Sequence, residues 1–390
     1  MGILSNAPLA NAQTWISNDV PTQPWSSIAC SADGARLMAT VYGGGIYSST
    51  NFGATWTTNG APQKNWVSLA SSADGSKLAA GVNSGEIYTS SDAGGSWHLS
   101  QNISDAWVHV AASANGVDLF AAYSPGYCYY KSGWFWTIFT NLPTSNWGPI
   151  ACSADGTKVV ALALVNGNNQ FVYSSSNSGA SWVSNSISGQ PFGGAACSAD
   201  GGKLFVVFNG NVYLSTNYGR TWVARAPAGR SYSIACSADG SKLFTVDLTS
   251  TSAVYDVYLS TNSGASWMTT VLTNIVNTNP LNSPTIWVTS SADGNKLALA
   301  IGNPGGSYAA IPGPIYTSQS VPAPQLNLAL IAANLAFSWT VPSANFVLQQ
   351  SADLFNWLDV TNPPALNFSN LQYQTTLPPA QAGFFRLATP

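Results

Sequence analysis

The chain has 390 residues, of which 7% are charged and 12% are aromatic, and its formal net charge is −3. This length is sufficient for a large core and for two domains. Nucleic acid is not an expected partner, because phosphate binding needs clustered Lys and Arg. No run of 18 apolar residues is present, so the sequence predicts no membrane span.

A Ser-Ala-Asp-Gly motif marks seven repeats along the chain. Its Asp residue, replaced once by Asn, stands at Asp33, Asp74, Asn115, Asp155, Asp200, Asp239 and Asp293. Successive positions differ by 39 to 54 residues, which is typical of a four-stranded repeat. In the first repeat we predict strands at Trp25–Cys30, Arg36–Tyr42, Ile46–Ser49 and Thr55–Thr58, the first two joined by an Asp-Gly hairpin.

A second motif, called the octapeptide here, ends in tryptophan. Its copies are Ser49–Trp56, Ser90–Trp97, Ser175–Trp182, Ser215–Trp222 and Ser260–Trp267. An Asn or Asp at the third position can bond nearby backbone N–H groups, and the central Gly permits a positive φ. The motif therefore predicts a tight turn between two strands, anchored by a buried ring.

Two repeats depart from the octapeptide pattern. In the third repeat, aligned on Trp136, Lys131 replaces the capping residue within the aromatic stretch Tyr127–Trp136. This stretch is either a repacked turn or a contact patch for a ligand, a partner or the tail. The seventh repeat lacks a Gly-x-x-Trp after Tyr316, whereas Gln13–Ser17 resembles the missing last strand. The N-terminal strand is therefore predicted to complete the last repeat and close the ring.

The octapeptides resemble the Asp-box of BNR/sialidase-like β-propellers. The resemblance and the repeat count imply an all-β fold, with a seven-bladed β-propeller over residues 1–321 closed by the N-terminal strand. Residues 322–390 contain short apolar runs separated by Pro and Asn, which predict a small β-sandwich of Ig/fibronectin-like type. The phrases Phe337–Trp339, Phe355–Trp357 and Phe384–Leu387 resemble a C-terminal module of exported proteins from Verrucomicrobia-like bacteria. That resemblance implies a secreted or cell-surface bacterial protein.

The sequence does not support sialidase chemistry. A sialidase uses three arginines, a Tyr–Glu pair and an Asp, whereas this chain has five arginines and Glu86 as its only glutamate. No catalytic, metal or cofactor site is predicted. Four of the five cysteines share one repeat position that is otherwise Ser or Ala, which favours free core thiols. A glycoside hydrolase using Glu86 and Asp105 stays open as an alternative, since two facing carboxylates are the requirement.

An aromatic residue near the start of each inner strand forms the candidate ligand site. The set comprises Trp25, Trp66, Trp107, Trp147, Phe192, Tyr232 and Trp287, with the polar neighbours Asn65, Asp105, Asn146 and Arg230. These rings could stack on sugars at one rim, or each could pack between adjacent blades. The sequence favours a non-enzymatic, exported, lectin-like protein that binds a glycan or cell-surface ligand. The alternative is a protein-interaction or assembly scaffold with a protein partner.

Overall fold

The computed structural model describes residues 15–102, 107–165, 169–187, 192–208, 210–225, 231–248, 255–272, 285–302, 312–320, 326–331, 334–340, 347–352, 356–361, 364–367, 371–378 and 383–388. Every regular element in these ranges is a β-strand. The all-β fold predicted from the sequence is therefore confirmed.

Each repeat forms an antiparallel unit, called a blade here. Strand β1 is Trp15–Ser17. Blade 1 contains β2 (Trp25–Cys30), β3 (Leu37–Gly44), β4 (Ile46–Ser49) and β5 (Thr57–Thr58). Blade 2 contains β6 (Lys64–Ser71), β7 (Leu78–Val82), β8 (Glu86–Ser90) and β9 (His98–Asn102). Blade 3 contains β10 (Trp107–Ala112), β11 (Asp118–Ser124), β12 (Cys128–Ser132) and β13 (Trp136–Ile138).

The remaining blades follow the same plan. Blade 4 contains β14 (Asn146–Cys152), β15 (Val159–Val165), β16 (Asn169–Ser175) and β17 (Val183–Ser186). Blade 5 contains β18 (Phe192–Cys197), β19 (Leu204–Phe208), β20 (Asn211–Ser215) and β21 (Val223–Arg225). Blade 6 contains β22 (Ser231–Cys236), β23 (Leu243–Leu248), β24 (Tyr255–Ser260) and β25 (Met268–Leu272). Blade 7 contains β26 (Thr285–Ser290), β27 (Lys296–Gly302) and β28 (Ile315–Gln319).

The sheets show two departures from simple repetition. Strand β1 joins blade 7 at its outer edge, with Trp15 opposite Ser318, as the N-terminal motif predicts. Blades 1 and 2 share one eight-stranded sheet, because β3 also pairs with β6 through Tyr42–Asn65 and Gly44–Lys64. The sequence pattern did not indicate this second feature.

The core lies between neighbouring blades. Ile28 and Leu37 of blade 1, for example, pack with Ala298 and Ile315 of blade 7 in one buried cluster. Strands buried on both faces carry continuous apolar runs, which explains sequences such as Val159–Val165. Burying a Leu or Ile side chain stabilises the fold by about 1.5–3 kcal/mol.

The Ser-Ala-Asp-Gly turns meet in a closed cycle. The alanine N–H of each blade donates to the alanine carbonyl of the next blade at 2.7–2.8 Å. The participants are Ala32, Ala73, Ala114, Ala154, Ala199, Ala238 and Ala292, and the N–H of Ala292 returns to Ala32. We call these residues the alanine ring, and the end that carries it the turn end. The opposite end, with the connections between blades, is the loop end.

A basic side chain joins each turn to the next at most positions. The Lys77 ammonium donates to the Asn115 carbonyl at 2.9 Å, and Lys242 donates to the Asp293 carbonyl at 2.9 Å. The stem of each basic residue also covers the turn glycine of the following blade. These covered pairs are Arg36–Gly75, Lys77–Gly116, Lys158–Gly201, Lys203–Gly240, Lys242–Gly294 and Lys296–Gly34. Six of the chain's twelve basic residues therefore have a structural role.

The octapeptides form the predicted turns. In the first copy the N–H of Thr55 donates to Asn51 Oδ1 at 2.9 Å, and Gly53 has a φ of +84°. The Trp56 Nε1 donates to the Gly53 carbonyl at 3.1 Å. The residue before each glycine also has a positive φ in all five copies. The side-chain cap therefore compensates for a conformation that L residues rarely adopt.

The C-terminal residues form two further sheets. One contains β29 (Asn327–Ile331), β30 (Asn334–Thr340), β34 (Gln372–Leu377) and β33 (Ala365–Asn367), in that order. The other contains β32 (Leu358–Asp359), β31 (Val347–Ser351) and β35 (Phe384–Ala388). Phe337, Trp339 and Phe385 fill the space between the two sheets. The tail is thus sandwich-like.

Candidate functional site

Three members of the predicted aromatic rim are core residues. Trp25, Trp66 and Trp147 expose 0%, 0% and 1% of their surface. The Trp25 Nε1 donates to the Gly313 carbonyl at 2.8 Å, and the Trp66 Nε1 donates to the Pro62 carbonyl at 3.2 Å. Each ring packs edge-on against a tyrosine of its own blade. In this arrangement none of the three presents a face on which a sugar could stack.

The other predicted site residues fall into three groups: half-buried, exposed, and outside the described part of the chain. Trp287 is half-buried beside the cluster between blades 7 and 1, whereas Asn65 and Asn146 are exposed at the loop end. Outside the described part of the chain lie Asp105, Arg230 and the side chains of Trp107, Phe192 and Tyr232. A binding role for these residues stays a prediction.

The loop end carries a polar cleft of about 400 Å³ beside blade 1. Its walls are the β3–β4 hairpin at Gly43–Gly45 and the connection to β6, including Asn59 and Gln63. Tyr42 and Tyr47 contribute rings, and no charged residue lines the cleft. The glycines permit the close approach, because a Cβ on Gly45 would lie 3.2 Å from Gln63 Nε2.

An ion pair between Lys64 and Glu86 lies next to this cleft. The Lys64 Nζ is 2.9 Å from Glu86 Oε2, and the Glu86 hydrogen bond raises the pKa of Lys64 although burial opposes it. Asn83 Nδ2 donates to the Tyr42 hydroxyl at 3.1 Å and so fixes that ring across blades 1 and 2. Glu86 is paired with Lys64, and Asp105 lies outside the described residues, so the hydrolase alternative that uses both carboxylates stays a prediction.

The third blade presents the largest exposed aromatic feature among the described residues. Trp134 and Phe135, adjacent at the tip of the turn between β12 and β13, expose 90% and 82% of their surfaces. Below them, Ser100 Oγ accepts hydrogen bonds from Lys131 Nζ at 2.8 Å and Trp136 Nε1 at 3.1 Å. We call Trp134 and Phe135 the blade-3 projection. It is a two-ring protrusion on a fixed base.

The turn end is covered by the tail and by hydrogen bonds within its own turns. Its alanine ring contacts Leu366, Leu371 and Tyr373 of the tail. Its Asp side chains accept bonds from their own turns; Asp33 Oδ1, for example, accepts from Ser31 Oγ and from the N–H of Ala35. Candidate ligand surfaces therefore remain at the loop end and on the circumference.

Burial controls the protonation of two cysteine thiols. Burial raises the pKa of the Cys30 and Cys236 thiols to about 12, so both are protonated at neutral pH. The described residues contain no group of ligands that could hold a metal ion. They also contain no helix long and apolar enough to cross a membrane.

Two features of the fold were not predicted, although the sequence contains a signal for each: the basic residues that join the turns and the hairpin that joins blades 1 and 2. A basic residue follows the motif glycine at a fixed distance in six repeats, as in Lys77 after Gly75. The run Gly43–Gly45 is the only triple glycine and marks the hairpin that joins two blades. The basic residue is detectable from its regular spacing in the repeat. The triple glycine is detectable only as a departure from the repeat.

Comparisons with known proteins identify the fold. No protein-family model and no curated protein sequence matches the chain. The β-propeller domain of Cps50 (Swd1) from Myceliophteria thermophila aligns with a TM-score of 0.58 at 12% identity, covering 78% of this chain and 100% of that domain. YCF48 bound to D1 peptide aligns with a TM-score of 0.55 at 12% identity, covering 81% of this chain and 99% of that chain. Hydrazine synthase of Kuenenia stuttgartiensis aligns with a TM-score of 0.56 at 16% identity, covering 73% of this chain and 94% of that chain.

At these identities the similarity establishes the fold alone. The chain contains a β-propeller, followed by the sandwich-like tail described above.

Proposed function

We propose that this protein is a non-enzymatic interaction scaffold that binds a polypeptide partner through the blade-3 projection. The observation that supports this function is the exposure of two adjacent large rings, Trp134 at 90% and Phe135 at 82%. Contiguous exposed apolar side chains mark interaction sites. Tryptophan is also enriched among the residues that dominate protein–protein binding energy.

The two rings have no counterpart in the five octapeptide turns. The equivalent positions in the other turns are Ala54–Thr55, Gly95–Ser96, Ala180–Ser181, Arg220–Thr221 and Ala265–Ser266. Those turns close through a side-chain cap and a glycine, with small or polar residues at the tip. At 90% and 82% exposure the two rings bury little surface among the described residues, which supports a use outside the chain.

The base of the projection is pre-organised for binding. Ser100 of blade 2 holds both Lys131 and Trp136, and the Lys131 ammonium lies 5.8 Å from the Trp136 ring centroid. A rigid base lowers the conformational entropy that binding would otherwise cost. One similar structure, YCF48, has a peptide bound, which supports the proposal that a propeller of this shape can present a peptide-binding surface. Export to the cell surface stays a prediction.

Peptide selection on the full chain tests the proposal. Peptides selected from a displayed random library on the wild-type protein should bind the Trp134→Ala/Phe135→Ala variant at least about 30-fold more weakly, since two hot-spot residues contribute about 2 kcal/mol or more. The control is Val183→Ala/Val223→Ala, which removes two exposed apolar residues from other blades. Its affinity should change less than about threefold.

Three results would refute the assignment. Selected peptides could bind both variants equally, or selection could yield no peptide at all. Phospholipid vesicles could also bind the wild type and lose binding in the Trp134→Ala/Phe135→Ala variant, which would assign the projection to lipid.

A second candidate function is lectin-like carbohydrate binding at the blade-1 cleft. The uncharged lining favours it, because Gln63 and Thr58 offer hydrogen-bonding groups while Tyr42 and Tyr47 offer rings. A glycan array tests this function on the same proteins. Binding should disappear in Thr58→Ala/Gln63→Ala and persist in Trp134→Ala/Phe135→Ala; no glycan binding by the wild type would exclude it.

A further inference from the structure

The tail touches the propeller at the alanine ring. Leu371 packs against two groups of the alanine ring, one around Ala32 and Ala292 and the other around Ala114, Ala154 and Ala199. Ala73 and Ala238 belong to both contacts. Leu371 therefore packs against alanines from both parts of the ring, which places its side chain on the ring rather than beside a single blade.

The backbone at Leu371 is unusual. Its φ is +53°, and the other non-glycine residues with positive φ in the described chain all lie at one position of the octapeptides. Those five are held by a side-chain cap within their turn. A left-handed conformation at a bulky residue persists when surrounding contacts hold it. At Leu371 the surrounding contact is the alanine ring.

The same contact covers the point where the ring closes. The N–H of Ala292 in blade 7 donates to the carbonyl of Ala32 in blade 1 at 2.7 Å. Leu366 and Tyr373 of the tail pack on this pair but not on the group around Ala154. Burial, with a contribution from the Asp33 carboxylate, raises the pKa of Tyr373, in keeping with its position beside the blade-1 turn.

Closure also involves the first strand. Strand β1 contributes three residue pairs to β28 of blade 7, and Ile28 and Leu37 of blade 1 pack with Ala298 and Ile315 of blade 7. At the junction of blades 7 and 1, called the seam here, opening of the ring would separate these contacts, since local opening depends on the contacts that hold a segment.

We propose that the C-terminal domain is an internal clamp, in which Leu371 on the alanine ring and Leu366 and Tyr373 at the seam hold the propeller closed. The alanine ring is its docking surface. Only small side chains leave room there for one branched aliphatic residue, and only a closed ring presents both groups of alanines to it. The tail therefore docks on the finished propeller and stabilises closure.

Hydrogen exchange on the full chain tests the clamp from both sides of the interface. Leu371→Asp removes the apolar contact from the tail. Ala154→Glu blocks it from the ring, on a blade distant from the seam. Both variants should increase amide exchange in β1 and β28 about tenfold, which corresponds to about 1.4 kcal/mol. Exchange in β7 and β8 of blade 2, which carries neither substitution, serves as the internal record that the blades remain folded.

Matched variants control for the charges introduced. Leu330→Asp places the same charge on an exposed tail leucine, and Ala180→Glu does so at an exposed alanine of blade 4. Both should leave the seam unchanged, and Leu371→Met should retain protection. Unchanged exchange at the seam in Leu371→Asp and Ala154→Glu would overturn the proposal. So would an increase in Leu371→Asp alone, because that result would report misfolding of the tail.

Discussion

Replacing Gly294 with alanine should destabilise the propeller more than the same change at Gly133. The two glycines have φ values of +65° and +87°, so alanine costs about 1–2 kcal/mol at either site for the left-handed conformation. Their surroundings differ. A Cβ at position 294 would lie 2.7 Å from Lys242 Cδ and 3.0 Å from Lys242 Cβ, whereas nothing lies within 4 Å at position 133.

The additional cost at Gly294 comes from the lysine that covers it. The Lys242 ammonium donates to the Asp293 carbonyl at 2.9 Å and also to the Asn295 side chain. Moving the Lys242 stem would displace its ammonium, and the loss of one such charge-assisted bond costs about 1.5–3 kcal/mol. Gly294→Ala should therefore cost about 2.5–5 kcal/mol in total, and Gly133→Ala about 1–2 kcal/mol.

Urea unfolding of the full chain measures both free energies. The Lys242→Ala background provides the decisive comparison, because it removes the stem that the new methyl group would strike. In that background the cost of Gly294→Ala should fall towards the Gly133→Ala value by about 2 kcal/mol, the expected coupling between residues in contact, while Ser237 Cβ stays 3.2 Å from the new methyl group. Equal destabilisation by the two glycine variants, or strict additivity with Lys242→Ala, would show that the lysine does not join the blades.

Three further predictions concern ionisable groups. Burial lowers the pKa of His109 from 6.5 to about 4, so the unfolded chain binds more protons than the folded chain between these pH values. The free energy of unfolding should therefore fall as the pH is lowered from 6.5 to 4. His109→Gln should reduce this pH dependence, measured as the midpoint of unfolding. Hydrogen bonds from Ser96 and Ser90 lower the pKa of Asp92 from 3.8 to about 2, so its contribution is present above pH 3.8 and lost towards pH 2; in acid titration Asp92→Asn should reduce this loss. Because burial raises the pKa of Cys30 and Cys236 to about 12, iodoacetamide at pH 8 should label the urea-unfolded chain but not the native one.

Local turn chemistry made much of the fold predictable. Strands β2 and β4 begin and end at the predicted residues. Their ends were predictable because the apolar runs stop at residues with strong turn preferences. The pairing of β1 with β28 followed from one displaced motif, Gln13–Ser17. In both cases the information lies within a few residues of the structural feature.

Orientation and long-range contact were not predictable in the same way. Trp25 and Trp66 recur at one repeat position, but recurrence is equally compatible with a rim that faces solvent and with packing between blades. The bonds that decide the question are made to Gly313, far along the chain, and to Pro62 in a connection. Leu371 is not part of any repeat, so no periodic signal singles it out.

The third blade departs from the repeat in a way that argues against simple decay of the motif. Asp118 stands where other blades carry the basic residue, and its carboxylate accepts a hydrogen bond from the Tyr130 hydroxyl at 2.9 Å. Lys131 stands where other turns carry the cap, and it donates to Ser100 of the preceding blade. Each lost contact thus has a replacement, and both replacements lie at the base of the turn. A decayed turn would lose its bonds without such substitutes. Bonds that fix the base while Trp134 remains exposed are what a binding projection requires.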